Sequence, residues 1–336
     1  MKIGGIDLEN QVMVVAEMGN NHEGSYELAA KMISLAAKAG ADAVKFQTFR
    51  TEHFVSRENE ARFNQLKSFE LSFAEFEKLS KVATEEGVVF LSTPLDLESA
   101  KFLNGLVPAF KIASGDNTFY PLIELVASFA KPIILSTGLL DTRQVADTKK
   151  RIEKIWGEKK IKQEIAALHC VCSYPVPPSQ ANLLAIRELR DQLGCTVGYS
   201  DHTTGIDAAV LAVALGARII EKHFTIDKNH SDFRDHKLSA DPAEMELLAK
   251  KVKEASALLG AGQKTIQECE KELEQAVRRS IVAARDIAKG ATIGPEDITW
   301  VRPGVGIPSG NESEVIGKIA TRNIRAGEVL NTELFK

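Results

Sequence analysis

Only four cysteines occur in 336 residues, Cys170, Cys172, Cys195 and Cys269, and they show neither zinc-ribbon spacing nor a disulfide framework. This excludes a disulfide-stapled secreted scaffold and a zinc module. Cys170-x-Cys172, set in an apolar run, reads as a pair of buried thiols in a reducing cytosol. The chain has no run of about 18 apolar residues, and no charged n-region followed by an apolar h-region opens it. A soluble cytoplasmic protein without a membrane partner is therefore expected. Lys and Arg never gather into a basic block, and with a net charge of -4 and a pI near 6.1 a nucleic-acid partner is excluded. No Gly-x-Gly-x-x-Gly follows the first strand-like run and no phosphate-loop motif appears, which removes dinucleotide and nucleoside-triphosphate folds.

What the chain does have is alternation. At 44% hydrophobic content it can bury one large core and retain residues for a small second domain. From Gln11 to about Gly260, short β-rich runs alternate with helical patterns, as in a parallel sheet covered by helices. The expected strands are Met13–Glu17, Ala43–Gln47, Val88–Ser92, Ala109–Ala113, Ile133–Thr137, Ala166–Cys170, Thr196–Tyr199 and Ile219–His223. The expected helices are Ser25–Ala39, Phe73–Glu86, Pro121–Phe129, Thr142–Ile155, Ser179–Gln192, Ile206–Leu215 and Asp241–Leu259. Such a succession predicts an α/β fold, a (β/α)8 TIM barrel over residues 1–260. Residues 261–278 read as a charged helical linker. The tail, 279–336, carries an internal repeat, Ala284–Ile293 against Thr321–Leu330, each copy reading as strand, Gly turn, strand. It is expected to be a small β-rich domain whose marginal core gains from docking.

Nearly every expected strand ends in polar groups, and in a barrel those ends form the active-site face. His202 and His223 close two such runs, one barrel unit apart. Neutral imidazoles so placed suit Mn, Fe, Co or Zn and leave positions open for water and substrate, as a catalytic ion requires. Lys45 and Lys111, with Ser114, Ser136, Thr137 and Ser200, suit a small anion bearing carboxylate and phosphate. Glu17, Asp116 and Asp235 supply carboxylates for proton transfer. The bland alternative for Glu17, Lys45 and Lys111 is salt bridges that merely fill the barrel. The residues alone thus point to a metal-assisted reaction of an anionic small molecule, with an aldol-type condensation and a hydrolysis both open.

Beyond this the chain resembles a known family. Ala16-Glu17-Met18-Gly19-Asn20-Asn21-His22-Glu23-Gly24-Ser25, Val44-Lys45-Phe46-Gln47, Lys111-Ile112-Ala113-Ser114-Gly115-Asp116, Leu135-Ser136-Thr137-Gly138, Gly198-Tyr199-Ser200-Asp201-His202-Thr203 and Glu221-Lys222-His223-Phe224-Thr225 are similar to motifs of the sialic acid synthase family. Val301-Arg302-Pro303-Gly304-Val305-Gly306-Ile307-Pro308 resembles part of its C-terminal antifreeze-like (SAF) domain. The resemblance implies an enzyme of the C–C bond-forming transferase class, a synthase that condenses phosphoenolpyruvate with an N-acylhexosamine, N-acetylmannosamine being the expected acceptor, to give a nonulosonic (sialic) acid and phosphate. It implies Lys45, Thr93, Lys111, Ser114, Ser136 and Ser200 as the phosphoenolpyruvate-binding set, and His202 and His223 as ligands of a divalent metal, with Mn expected and Mg or Co as alternatives. Glu17, Gln47, Asp116, Tyr174, Asp235 and Arg302 match sugar-side and proton-transfer positions. Arg302 corresponds to an arginine delivered by the partner subunit, in a homodimer with swapped SAF domains.

Three departures bear on the acceptor. Cys172 stands where the family commonly has asparagine, a thiol replacing an amide donor. Asp116 stands for a glutamate, one methylene shorter, and Asp232-Phe233-Arg234 replaces a Pro-Gly-Pro stretch that faces the sugar. A legionaminate-type, pseudaminate or 9-phosphate synthase of the same family is the alternative, and a non-catalytic carbohydrate-binding barrel protein is the reading from a different class.

Overall fold

Strand residues of period two, apolar on both faces, have to be covered on both faces, and a sheet that curls round on itself does this. The computed structural model describes residues 1–336. Eight parallel strands, β1 (Met13–Gly19), β2 (Ala43–Thr48), β3 (Val89–Pro94), β4 (Phe110–Ile112), β5 (Ile133–Ser136), β6 (Ile165–Cys170), β7 (Thr196–Asp201) and β8 (Ile219–His223), form one sheet. Its order is β3-β2-β1-β8-β7-β6-β5-β4. The two end strands, β3 and β4, stand side by side without a backbone ladder, so the sheet is a nearly closed (β/α)8 barrel.

One set of alternate residues points to the helices. Val14, Ala16, Val44, Phe46, Phe90, Ile112, Leu135, Val197, Tyr199 and Ile220 pack there with Ile33, Leu79, Val126, Ile152 and Leu189. The other set fills the barrel. Met13, Val15, Ala43, Leu91, Ala109, Ile134, Ala166, Leu168 and Ile219 cluster with Met1, Ile3 and Leu8, which come from an antiparallel pair of short strands, Lys2–Ile3 and Ile6–Asp7. These side chains belong to the early residues of each strand, so the hairpin plugs the N-terminal mouth. Further along the same inward column the residues become Glu17, Lys45, Thr93, Lys111, Ser136, Ser200 and Glu221, all buried.

The helices begin where short polar side chains satisfy the first free N–H groups. Ser25 caps Tyr26–Lys38, Ser72 and Glu75 form a reciprocal box at Phe73–Glu85, and Asp141 and Gln144 form another at Thr142–Lys159. One expected helix needs correction. The helix expected from Ser179 begins at Ala185, because Pro177 and Pro178 lead into a 3-10 turn and Asn182 takes a positive φ of 46°. A helix at Leu97–Leu103, capped by Asp96, follows β3 where the sequence shows no clear period, seven residues being too few to display one. Thr51–Phe54 and Glu60–Phe69 add two short helices between β2 and its main helix.

The chain divides into two compact units, Met1–Gly260 and Ala261–Lys336. The second starts with an exposed helix, Glu268–Val277, and pairs β9 (Ser280–Ala283) with β10 (Ile298–Val301) in antiparallel fashion. Its repeat copies are single β-bridges rather than strand, turn, strand, since the chain turns away too soon for a ladder to extend. The copies pair with each other: Ile287 and Ile324 exchange backbone hydrogen bonds of 2.8 and 2.9 Å. Gly290 and Gly327 occupy matching left-handed turns at φ 84° and 81°. Ile281, Ile287, Ile293, Ile324, Leu330 and Phe335 form this unit's core.

One charged pair lies on the outward column of the barrel. Lys222 Nζ donates to Asp201 Oδ2 at 2.9 Å and to the Thr203 carbonyl, while Asp201 Oδ1 accepts from the Thr203 N–H and hydroxyl at 2.8 Å. Both side chains are at most 1% exposed. Lys222→Met strands a buried carboxylate and is expected to cost about 3–5 kcal/mol, read as a fall in the urea midpoint. Lys222→Met with Asp201→Asn should recover much of it, and an equal loss in both would assign the effect to packing instead of charge.

Candidate active site

Parallel register lifts one layer of inward side chains to the C-terminal mouth. Glu17 pairs with Lys45 across β1 and β2, His223 with Glu17 across β8 and β1, and Glu221 with Ser200 across β8 and β7. Lys45 Nζ lies 2.6 Å from Glu17 Oε2 and 3.8 Å from Glu221 Oε1, while Lys111 Nζ lies 3.1 Å from the same Glu221 oxygen. The Ser200 hydroxyl donates to Glu221 Oε1 at 2.9 Å, and Lys45 donates to Thr93 Oγ1 at 3.1 Å. Gln47 ties Asn20 to this layer, accepting from Asn20 Nδ2 at 3.2 Å and donating to Glu17 Oε1 at 3.3 Å. Burial works against the Glu221 carboxylate, yet Lys111 and Lys45 outweigh it and hold the group down at about 2. Burial pulls Lys111 below its ordinary value.

Above this layer opens a cavity of about 540 Å³. It is lined by Glu17, Lys45, Gln47, Thr93, Lys111, Ser114, Asp116, Ser136, Tyr174, Ser200, His202 and His223 among the residues singled out from the sequence. Asp235 is not in the lining. It sits half-buried in the short helix Asp235–Leu238, joined to Arg234 Nε at 3.1 Å, near enough for its charge to act on His223 and Tyr174. Arg302 lies in the C-terminal unit, exposed and without an ion pair, directly after β10. Glu221 is the member that strand-end reasoning passed over. Its signal was position i−2 from His223 in an apolar strand, which puts it on the inward column.

His202 and His223 face each other with ring centroids 5.4 Å apart, and Tyr174 lies 4.2 Å from the His202 ring. Burial, and for His202 also its neighbour His223, depresses both imidazoles to about 4, so both are neutral at pH 7. His202 Nδ1 donates to the Val171 carbonyl at 2.9 Å, which leaves the Nε2 lone pair free. His223 Nδ1 is buried without a partner. Two neutral nitrogen donors with one orphaned buried atom fit a divalent cation held by two protein ligands. No group of three His, Cys, Asp or Glu is poised to hold one, so a closed structural site is absent.

The surrounding loops are pinned by side-chain amides. Asn117 Nδ2 donates to the carbonyls of Ser136 and Gly138 at 3.3 and 2.8 Å, and Asn21 Nδ2 donates to the Phe224 carbonyl and Ser239 Oγ at 2.8 and 2.9 Å. The Gly138 N–H donates to Ser114 Oγ at 3.1 Å, leaving the Ser114 proton available to a ligand. A Cβ on Gly138 would meet Cys172 Sγ at 2.6 Å and Ser114 Oγ at 2.7 Å, so only glycine lets these three segments converge.

A NeuB family model matches residues 32–264 and a SAF domain model matches residues 278–336. The chain belongs to the NeuB family, a family of sialic acid synthase-like enzymes. An uncharacterized protein of Methanocaldococcus jannaschii is 44% identical over 313 residues, covering 93% of this chain and 90% of that one. N,N'-diacetyllegionaminic acid synthase of Campylobacter jejuni is 38% identical over 334 residues, covering 95% and 99%. The crystal structure of N-acetylneuraminic acid (sialic acid) synthetase from Leptospira borgpetersenii in complex with citrate superposes with a TM-score of 0.75 at 35% identity, covering 81% of this chain and 94% of that one. Within this NeuB family member, Cys172, a thiol where the resemblance implies an amide, lines the cavity beside Ser114.

Asp116 has no side-chain partner, and burial alone pushes its carboxyl up to about 6. The folded state thus binds this proton more tightly than the unfolded chain does. The group's stabilising contribution is present in full below about pH 4 and lost as pH rises through 6. Asp116→Asn should therefore be more stable than wild type by about 1–2 kcal/mol at pH 8, with the gap closing below about pH 4. Urea titrations across this range check it, and a constant gap would mean the carboxylate is fully hydrated.

Proposed function

We propose that the protein condenses phosphoenolpyruvate with an N-acylated hexosamine, N-acetylmannosamine being the reference acceptor, to give a nonulosonic acid and phosphate. The observation that carries this reading is the pairing, in one barrel mouth, of two buried ammonium groups and three serine hydroxyls with two neutral imidazoles. Relatives named as legionaminic acid and N-acetylneuraminic acid synthases support it. A barrel that only binds carbohydrate has no use for so many desolvated charges.

In this reading Lys45 and Lys111 neutralise the phosphate and carboxylate of phosphoenolpyruvate, and Thr93, Ser114, Ser136 and Ser200 supply hydrogen bonds that orient it. C3 of phosphoenolpyruvate attacks C1 of the open-chain sugar, and the new alkoxide takes a proton from a cavity carboxyl group, Glu17 or Asp116. A divalent ion such as Mn, held by His202 and His223, would polarise the aldehyde oxygen. Water adds at C2, and the tetrahedral phosphate ester collapses with C–O cleavage to the 2-keto acid and phosphate. Gln47, Tyr174 and Asp235 contribute to the sugar side.

Incubation with phosphoenolpyruvate, MnCl2 and N-acetylmannosamine or a related N-acylhexosamine is expected to release phosphate together with a 3-deoxy-2-keto acid. No release with any such sugar would overturn the reading. His223→Ala should abolish turnover while leaving the circular dichroism spectrum unchanged, because a two-ligand ion contributes little to folding. Full activity of that variant in metal-free buffer would remove the metal from the scheme.

The same proposal includes a homodimer in which Arg302 acts on the acyl group of the partner's acceptor. Arg302 is exposed among Trp300, Val301 and Val305, themselves 40%, 41% and 55% exposed, an apolar surround that suits docking. Mixing inactive Lys111→Met chains with inactive Arg302→Ala chains should restore part of the activity, since one mixed site then carries both native residues. A mixture as inactive as its parents, despite proven subunit exchange, would place the arginine in its own chain's site or outside any site.

A further inference from the structure

Asn21, His22, Glu23 and Gly24, in the loop after β1, are buried or half-buried, yet none of them lines the active-site cavity. Two of them reach across to the loop after β8, residues 225–240, which contains neither proline nor glycine and so relies on side-chain ties to hold its shape. Asn21 binds the Phe224 carbonyl and Ser239 Oγ, and Ser239 Oγ donates to the Asp235 carbonyl at 2.5 Å. Glu23 Oε1 accepts from the Ser231 hydroxyl at 2.6 Å and from His236 Nε2 at 3.0 Å.

His236 follows Asp235 in the chain and has no exposed surface. Its other ring nitrogen lies 2.6 Å from Thr225 Oγ1, so an oxygen faces each nitrogen and the ring has one orientation. That orientation fixes the short helix Asp235–Leu238. Apolar contacts support it from the same side. The Phe233 ring lies 6.0 Å from His236 and 5.1 Å from Phe69, at the end of the helix Glu60–Phe69. Gly24 lets the β1 loop rest on that helix end: it has φ 83°, and a Cβ there would meet the Ser68 carbonyl oxygen at 2.1 Å.

The Asp235 side chain bonds only to Arg234, its chain neighbour, which is 66% exposed and moves with the same segment. Arg234 lies 5.0 Å from the Tyr174 ring, and that ring lies 6.0 Å from His223. We infer that Glu23 is a positioning residue, which by holding His236 sets the Asp235 carboxylate against the imidazole end of the cavity. This rests on the proposed condensation, in which Asp235 serves the sugar side.

In the phosphate-release assay Glu23→Ala should lower kcat on the order of tenfold, with the KM for phosphoenolpyruvate unchanged. Glu23→Gln keeps an oxygen that accepts from Ser231 and His236 and should restore most of the rate. In an Asp235→Asn background Glu23→Ala should cost less than about twofold more, because the group it positions is already altered. An undiminished kcat in Glu23→Ala, or the same tenfold loss with and without Asp235, would overturn the inference. The same cycle read as Mn2+ binding, by the electron-spin resonance of the free ion in MnCl2 titrations, needs no turnover. Each single variant should weaken binding severalfold and the double variant no further. Wild type that releases no phosphate but shows this pattern would defeat the condensation and keep the link from Glu23 to Asp235. Additive losses, or no Mn2+ binding by wild type, would defeat the link.

Discussion

Two carboxylates and two ammonium groups share the inside of the barrel, and the rest of the site depends on their cancelling. Glu17, Lys45, Lys111 and Glu221 come from four different strands, none more than 7% exposed on the side chain. Any one of them alone in that interior would cost several kcal/mol. Together they form a neutral layer, provided that every strand keeps its register. A slip by one residue would turn each of them toward the helices and bring apolar groups to the mouth. The network therefore constrains the fold as well as the proposed site.

The salt bridges that fill the barrel use the same atoms that the proposed function assigns to anion binding. An arriving dianion would find Lys45 and Lys111 held in place by Glu17 and Glu221, with Ser200 already bonded to Glu221. The arrangement is preorganised, so little reorientation accompanies binding. Neutral imidazoles follow from the same burial. In the dry upper layer protonation is disfavoured, and His202 is oriented by the Val171 carbonyl. Residues behind the cavity serve this purpose too: Asn21, Asn117 and Gly138 fix the loops from which the cavity-lining groups project.

Much of this was legible along the chain, because a barrel strand is read two residues at a time. The eight strands and most of the helices appear as changes of period, and polar groups at strand ends mark the mouth. Glu221 escaped notice because it lies inside a strand, one step below the end, where charge is normally avoided. The helix at Leu97–Leu103 escaped because it is too short to show a period, and the late start at Ala185 escaped because local prolines and Asn182 interrupt a pattern that otherwise continues. Leu95, Ala113 and Phe119 could not be told from core residues, since apolarity looks the same whether a side chain faces helices or a cavity.

By itself the sequence determined the fold class, the order of strands and helices, the face on which chemistry would gather and the kinds of group gathered there. These follow from local periodicity and residue type. Only the tertiary structure decided which carboxylate meets which lysine, and that two imidazoles 21 residues apart face each other. Those facts depend on the curvature and register that bring β1, β8 and β7 together and set β3 and β4 against them, which no single stretch of chain encodes.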